Sequence, residues 1–420
     1  MEISPTADRI YKELLHERAG IWYISDVYGS KIMIKVLSPA IKAVMEGCKL
    51  ELIYGNDVGV VPNIFHTGVK IYDDPVHYLS LSGTHRFSDE HYSLAKIMQL
   101  EKVFVHFHNE LNVCQAVAEF TFNANDTHQI RAFQGNPKLL YKGAFTTPIS
   151  QSLDRFQYSS GMRPELEPVP EVIETLTIQP HIENWTYMEN TFIHAGVSAQ
   201  TSINNKDEGG ILENEVLVAL GSLFDPDIFK SPQIPYKGKN RELTDIFSFY
   251  EYGIFLVETK ALGVLGNTER QMDRRVLGIQ KQIKKGIDQI VGAVKKISEQ
   301  VPILDGDNIQ INFNRTLLSH GIVLVSELPP FGDWDKIILQ ILTAMIENKV
   351  IIHIFDLQEF MRFIGYSKGD KYLFDYYLIE RNRIFVEHSS MFHHISFVPG
   401  EARAHIEDST KDYNVIKSSL

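Results

Sequence analysis

Four prolines crowd one short stretch, at Pro164, Pro168, Pro170 and Pro180. Each fixes its own φ and removes a backbone donor, so neither a helix nor a central strand can run through residues 162–180. A chain of 420 residues interrupted in this way divides. Residues 1–160 read as an N-terminal mixed α/β domain of unassigned role and 161–190 as a Pro-rich connection. Residues 191–328 read as a second core, 329–403 as a C-terminal α/β extension, and 404–420 as a polar tail that frays. With 44% hydrophobic and 22% charged residues, both parts can bury a core.

No apolar run approaches the roughly 18 residues of a membrane span. Residues 1–9 lack the basic-then-apolar pattern of a secretory signal. Cys48 and Cys114 are too few for a disulfide framework or a thiol-only zinc cluster, so a reducing cytoplasm is the expected setting. Forty-one basic residues against 53 acidic ones give a net charge of −12, which argues against a protein that coats nucleic acid over its whole surface. Residues 260–300 run the other way, with nine Lys/Arg and four Asp/Glu. A local basic face is enough to meet phosphates.

In the first part, helices are expected over 7–17, 38–46 and 88–100, and strands over 21–36, 103–122 and 129–133. The second part has a clearer order. Residues 211–224 form an amphipathic helix, with Leu212, Val216, Leu220 and Leu223 on its apolar face. A loop-rich stretch with room for a weakly marked edge strand follows. Residues 243–250 and 254–261 are two strands joined by a tight turn. Residues 270–298 are a long helix, with Val276, Ile279, Ile283, Ile287, Ile290 and Val294 three or four apart. Residues 321–326 are a short apolar strand, 350–355 another, and 356–383 are mostly helical.

The segment that can carry chemistry is 241–262. A turn between Glu251 and Tyr252 makes paired residue numbers sum to about 503, which sets Asp245 opposite Glu258. Glu258 and Lys260 are two apart and share a face. Two carboxylates and an ammonium therefore converge at one end of a hairpin. Carboxylates forced together raise one another's pKa unless a cation lies between them. Mg²⁺ prefers such oxygens and can activate a water, and the lysine can steady negative charge on a phosphate. The Thr259 carbonyl is a further candidate metal ligand.

Asp245, thirteen positions before Glu258-Thr259-Lys260, resembles the motif of the PD-(D/E)xK nuclease superfamily, the restriction-endonuclease-like fold. The resemblance covers about 115 residues and implies an αβββαβ core. It implies a Mg²⁺- or Mn²⁺-dependent endonuclease that hydrolyses phosphodiesters, with DNA as the expected substrate and restriction or antiphage defence as the setting. Asp245, Glu258, Thr259 and Glu213 would then hold metal, and Lys260 would assist the attacking water. Of the two helical acids, Glu213 and Glu215, the first is favoured because it shares a face with Leu217, Leu220 and Phe224. Gln282 would position water or phosphate, and Arg274, Arg275, Lys281, Lys284 and Lys285 would meet the backbone. No proline precedes Asp245, a departure the superfamily often shows. A second copy of the chain, or a partner subunit, could supply the rest of a nucleic-acid groove. Two rival readings stand beside this one: a non-catalytic scaffold with the same fold in a nucleic-acid complex, and an unrelated interaction protein in which Asp245 and Glu258 lie apart.

Other candidates are weaker. Glu347-Asn348-Lys349 repeats the tripeptide but has no upstream partner acid, and reads as solvated charge at a helix end. In VHFHNE, His106, His108 and Glu110 would share one strand face, a metal-binding pattern that lacks a further partner. His393-His394 is weaker still. Cys114 reads as a small buried hydrophobe, and Asp333 as a helix cap. The sequence contains no P-loop, no GxGxxG after a strand and no GxSxG elbow.

Overall fold

The computed structural model describes residues 5–73, 78–163, 171–194, 197–203, 208–260, 272–325, 327–329 and 332–392. The protein is mixed α/β, with ten helices and eighteen strands among the described residues. None of those helices is long and apolar enough to cross a membrane. Contacts divide the chain into two units, the first mainly Met1–Asn190, the second mainly Asn205–Gly263 and Asp273–Leu420.

The first unit runs α1 (Pro5–His16), β1 (Gly20–Asp26), β2 (Gly29–Lys35), α2 (Ser38–Met45), β3 (Leu50–Asp57), β4 (Ile64–Ile71) and β5 (Leu79–His85). It continues with α3 (Ser88–Ile97), β6 (Lys102–His108), β7 (Cys114–Thr121), α4 (Ala124–Gln134), α5 (Thr147–Ser159), β8 (Glu174–Ile178) and β9 (His181–Tyr187). A five-stranded sheet, β1-β2-β6-β7-β9, and a four-stranded sheet, β5-β4-β3-β8, share one apolar core. Val103, Val105 and Phe107 of β6 face that core. The alternate residues Phe104, His106 and His108 therefore face the other side. Met33 of the neighbouring strand packs on that side with Ile10 and Leu14 of α1.

Two expectations are corrected here. Residues 129–133 belong to helix α4, because Asn123 caps it by accepting from the Asp126 N–H at 2.8 Å. The connection expected over 161–190 carries β8 and β9, each at the edge of a sheet, where nearby prolines are tolerated. Pro164, Pro168 and Pro170 lie outside the described residues.

The strands β10 (Asn190–His194) and β11 (Val197–Thr201) pair with each other. The second unit then runs α6 (Glu208–Phe224), β12 (Ile228–Lys230), β13 (Gln233–Tyr236), β14 (Lys239–Glu242), β15 (Ile246–Phe249), β16 (Gly253–Lys260) and α7 (Met272–Ser298). It ends with β17 (Leu318–Val325), α8 (Asp335–Asn348), β18 (Val350–Asp356), α9 (Leu357–Ser367) and α10 (Lys371–His388). The main sheet has the order β12-β15-β16-β17-β18. β12, β15 and β16 are antiparallel neighbours, and β16, β17 and β18 are parallel.

β16 is buried on both faces from Ile254 to Val257, which suits its unbroken apolar run. The 27-residue α7 makes the crossover to β17. It lies close on that strand: a Cβ at Gly286 would stand 2.7 Å from Val323 Cγ1, and one at Gly321 2.5 Å from Ile290 Cγ2. Because β18 is the fifth strand of this sheet, the C-terminal extension expected from residue 329 is continuous with the core. The tail, 404–420, and His393-His394 lie outside the described residues.

Candidate functional site

β15 and β16 pair in the register Ile246↔Val257 to Phe249↔Ile254. Every pair sums to 503, and Asp245 falls opposite Glu258 one step beyond the paired run. The polar triplet Glu258-Thr259-Lys260 closes an otherwise apolar strand, at the C-terminal end of the parallel pair β16–β17. That end of an open α/β sheet is where ligands are usually held.

The three charged side chains meet. Lys260 Nζ donates to Glu258 Oε2 at 2.6 Å and stands 3.8 Å from Asp245 Oδ2. Asp245 Oδ2 also accepts from the Thr259 backbone N–H at 2.6 Å and its hydroxyl at 3.0 Å. Glu258 is fully buried, and its Oε1 has no hydrogen-bond partner among the described residues. The neighbouring Thr244 hydroxyl donates to the Val257 carbonyl at 2.9 Å and also favours the charged form of Glu258. Burial first, then the charge of Asp245, push the Glu258 carboxyl up to about 7, against the pull of Lys260. An orphaned carboxylate oxygen beside a second carboxylate is the donor set of a hard divalent cation. These residues are of the chemical type that could hold Mg²⁺ or Mn²⁺.

The remaining expected site residues are placed unevenly. Glu213 does not point inward: its side chain is 28% exposed and lies 3.8 Å from Lys230 Nζ. Glu215 is the buried acid of α6, at 5% exposure. Gln282 is half-buried on α7, while Lys281, Lys284 and Lys285 are exposed. Arg275 is not a free phosphate contact, because its guanidinium forks onto both carboxylate oxygens of Glu327. That pair ties the start of α7 to the chain just after β17. The Arg274 side chain lies outside what the structure describes. The second tripeptide, Glu347-Asn348-Lys349, closes α8, as expected of solvated charge.

Sequence reasoning missed a fully buried polar chain in the same unit. His320 Nδ1 lies 3.2 Å from His353 Nε2, and His320 Nε2 lies 3.0 Å from Asp375 Oδ1. Tyr250 donates to the other Asp375 oxygen. These residues come from separate strands, a turn and a helix, so no local window of sequence brings them together.

No family model and no curated protein matches the sequence. Among solved structures, the small subunit of the heterodimeric restriction endonuclease R.BspD6I is a weak structural neighbour, with a TM-score of 0.28 and 13% identity. The match covers 49% of this chain and 92% of that subunit.

Proposed function

We propose that the second unit is a metal-dependent endonuclease that hydrolyses phosphodiester bonds, with DNA as its substrate, and that it serves in restriction or antiphage defence. The observation that carries this reading is the convergence of buried Glu258, Asp245 and Lys260, with one Glu258 oxygen that has no hydrogen-bond partner among the described residues. Burying an unsatisfied carboxylate is costly, and a site that keeps one is poised for a ligand. With the separate β13–β14 pair set aside, the order α6, β12, β15, β16, α7 and β17 is the αβββαβ order that the resemblance implies.

In this reading Asp245, Glu258 and the Thr259 carbonyl would hold Mg²⁺, with Glu215 replacing Glu213 as the candidate helical acid. The metal, when bound, lowers the pKa of a coordinated water and offsets charge on the phosphate. Lys260 would direct its ammonium at the attacking water or the phosphate oxygen. Thr259 fixes the Asp245 carboxylate through two donors. Gln282 orients the phosphate from α7, and Lys281, Lys284 and Lys285 hold the backbone nearby.

The test is cleavage of supercoiled plasmid, linear duplex, single-stranded DNA and RNA, with Mg²⁺, Mn²⁺ or EDTA, for the native chain and Lys260→Ala. Metal-dependent cutting that falls by about 10²–10³-fold or more in Lys260→Ala is expected. Should nothing be cut, calorimetry with Mn²⁺ decides. Absence of any binding that Asp245→Ala removes would leave a scaffold that keeps the fold without the chemistry.

A further inference from the structure

We infer that His106, His108 and Cys114 form a transition-metal site of the zinc class on the five-stranded sheet of the first unit. β6 and β7 are antiparallel neighbours, and a register shift at Phe107/His108 sets His108 opposite Cys114. One donor atom from each of the three side chains lies within 4.8 Å of the other two. Cys114 Sγ stands 3.9 Å from His106 Nδ1. A tetrahedral zinc with bonds of about 2.0–2.3 Å needs its donors roughly 3.3–3.8 Å apart. Closing to that spacing takes about 1 Å, within the reach of side-chain torsions on a strand.

Glu110 is not part of this site. Its carboxylate accepts from the Ser38 backbone N–H at 2.8 Å and from the Ser38 hydroxyl, at the start of α2. The strand ends at His108, and the turn at Asn109 carries Glu110 away. Cys114 takes its place across the strand pair.

Two imidazoles and one thiolate select a borderline metal such as Zn²⁺ or Co²⁺ over Mg²⁺ or Ca²⁺. Three protein ligands leave the fourth position to water or to an outside donor. Burial first, then Lys31, hold the His106 ring down at about 4. Burial holds His108 at about 4 as well, so both rings are neutral near pH 7 and keep a free lone pair. The Asn112 carbonyl lies 3.3 Å from His108 Nδ1 and accepts from that nitrogen in the tautomer that would leave Nε2 to a metal. Burial pushes the Cys114 thiol up to about 11, so without metal it is protonated and unreactive.

The test uses the full chain, stripped with EDTA and titrated with Co²⁺. One equivalent should bind with thiolate-to-cobalt charge-transfer absorption, and Zn²⁺ should bleach it. The band separates this site from the carboxylate centre, which offers no sulfur. It should survive Cys48→Ser and vanish in Cys114→Ser. His106→Gln, at a half-buried position that folding should tolerate, should weaken Co²⁺ by more than the roughly 10–100-fold typical of a ligand's outer partners. Absence of the band in the native chain, or its loss in Cys48→Ser with persistence in Cys114→Ser, overturns the site. If Cys114→Ser does not fold, unchanged Co²⁺ affinity in His106→Gln overturns it equally.

Discussion

Asp57 and Glu258 are both buried carboxylates near the C-terminal end of a strand, one in each unit. Asp57 is saturated. Its Oδ2 accepts from the Ser152 hydroxyl at 2.6 Å and from Arg155 Nε at 3.1 Å, and its Oδ1 accepts from the Gly59 N–H at 3.1 Å. Ser152 and Arg155 are three apart on α5, so one helix face delivers both donors. Burial pushes the Asp57 carboxyl up, but Ser152 and Arg155 more than reverse this and hold it below its usual value. Glu258 pairs with Lys260, has one oxygen without a partner among the described residues, and sits at about 7. The contrast separates an acid whose partners more than offset its burial from one whose burial they do not offset.

Removing each acid should sharpen the contrast through opposite signs. Asp57→Ala leaves Arg155, only 16% exposed, without its partner. A loss of about 3–5 kcal/mol in urea unfolding of the first unit is expected. Glu258→Gln removes a charge that the fold holds at a disadvantage. Without metal at pH 8 it should stabilise the second unit, on the order of 1–3 kcal/mol. A Glu258→Gln variant that is less stable than the native chain at pH 8 would show that Oε1 is already satisfied.

pH should divide the two acids as well. A carboxyl held below its unfolded value contributes stability that is present above that value and lost as pH falls through the folded one. The Asp57 contribution should therefore fade below its ordinary 3.8. For Glu258 the folded value of about 7 exceeds the ordinary 4.5, so between them the folded chain holds a proton that the unfolded chain has released. Metal-free stability of the second unit should decline as pH rises through that window, and Glu258→Gln should flatten the decline. Mn²⁺ affinity should climb through the same window, because the metal needs the carboxylate ionised. Affinity that is flat from pH 5 to pH 8 would exclude Glu258 as a ligand.

The register of the β15–β16 hairpin was legible because a tight turn and the two-residue strand period leave one pairing that buries the apolar face. The long helix α7 was legible for a similar reason, since one of its faces carries the regular apolar spacing. The choice between Glu213 and Glu215 was not. α6 buries Leu212, Glu215, Val216, Val218, Ala219 and Leu220, an arc of roughly half the helix, so apolar spacing alone does not choose between the two acids. The trio His106, His108 and Glu110 failed for a different reason: alternation places residues on one face only while the strand continues, and this strand ends at His108. The side chain that does meet the two histidines, Cys114, comes through cross-strand pairing, which a local window does not contain. The misread 129–133 did carry its correction, in the capping Asn123 just before the helix.

The smallest expected effects concern α7, and they extend the same contrast from acids to bases. Arg275 resembles Asp57 in being fully engaged, here by the fork onto Glu327. Lys281, Lys284 and Lys285 project from the same helix into solvent. If the lysines meet phosphates, replacing any one by alanine should weaken duplex binding modestly on every sequence. It should also lower the slope of log affinity against log salt by about one, the release of one counterion. Arg275→Ala should leave that slope unchanged and reduce the stability of the second unit instead, because Glu327, 8% exposed, would lose its partner. A slope that falls by about one in Arg275→Ala would mean that Glu327 surrenders the arginine when nucleic acid arrives. The fork would then be a resting pair, broken when nucleic acid binds.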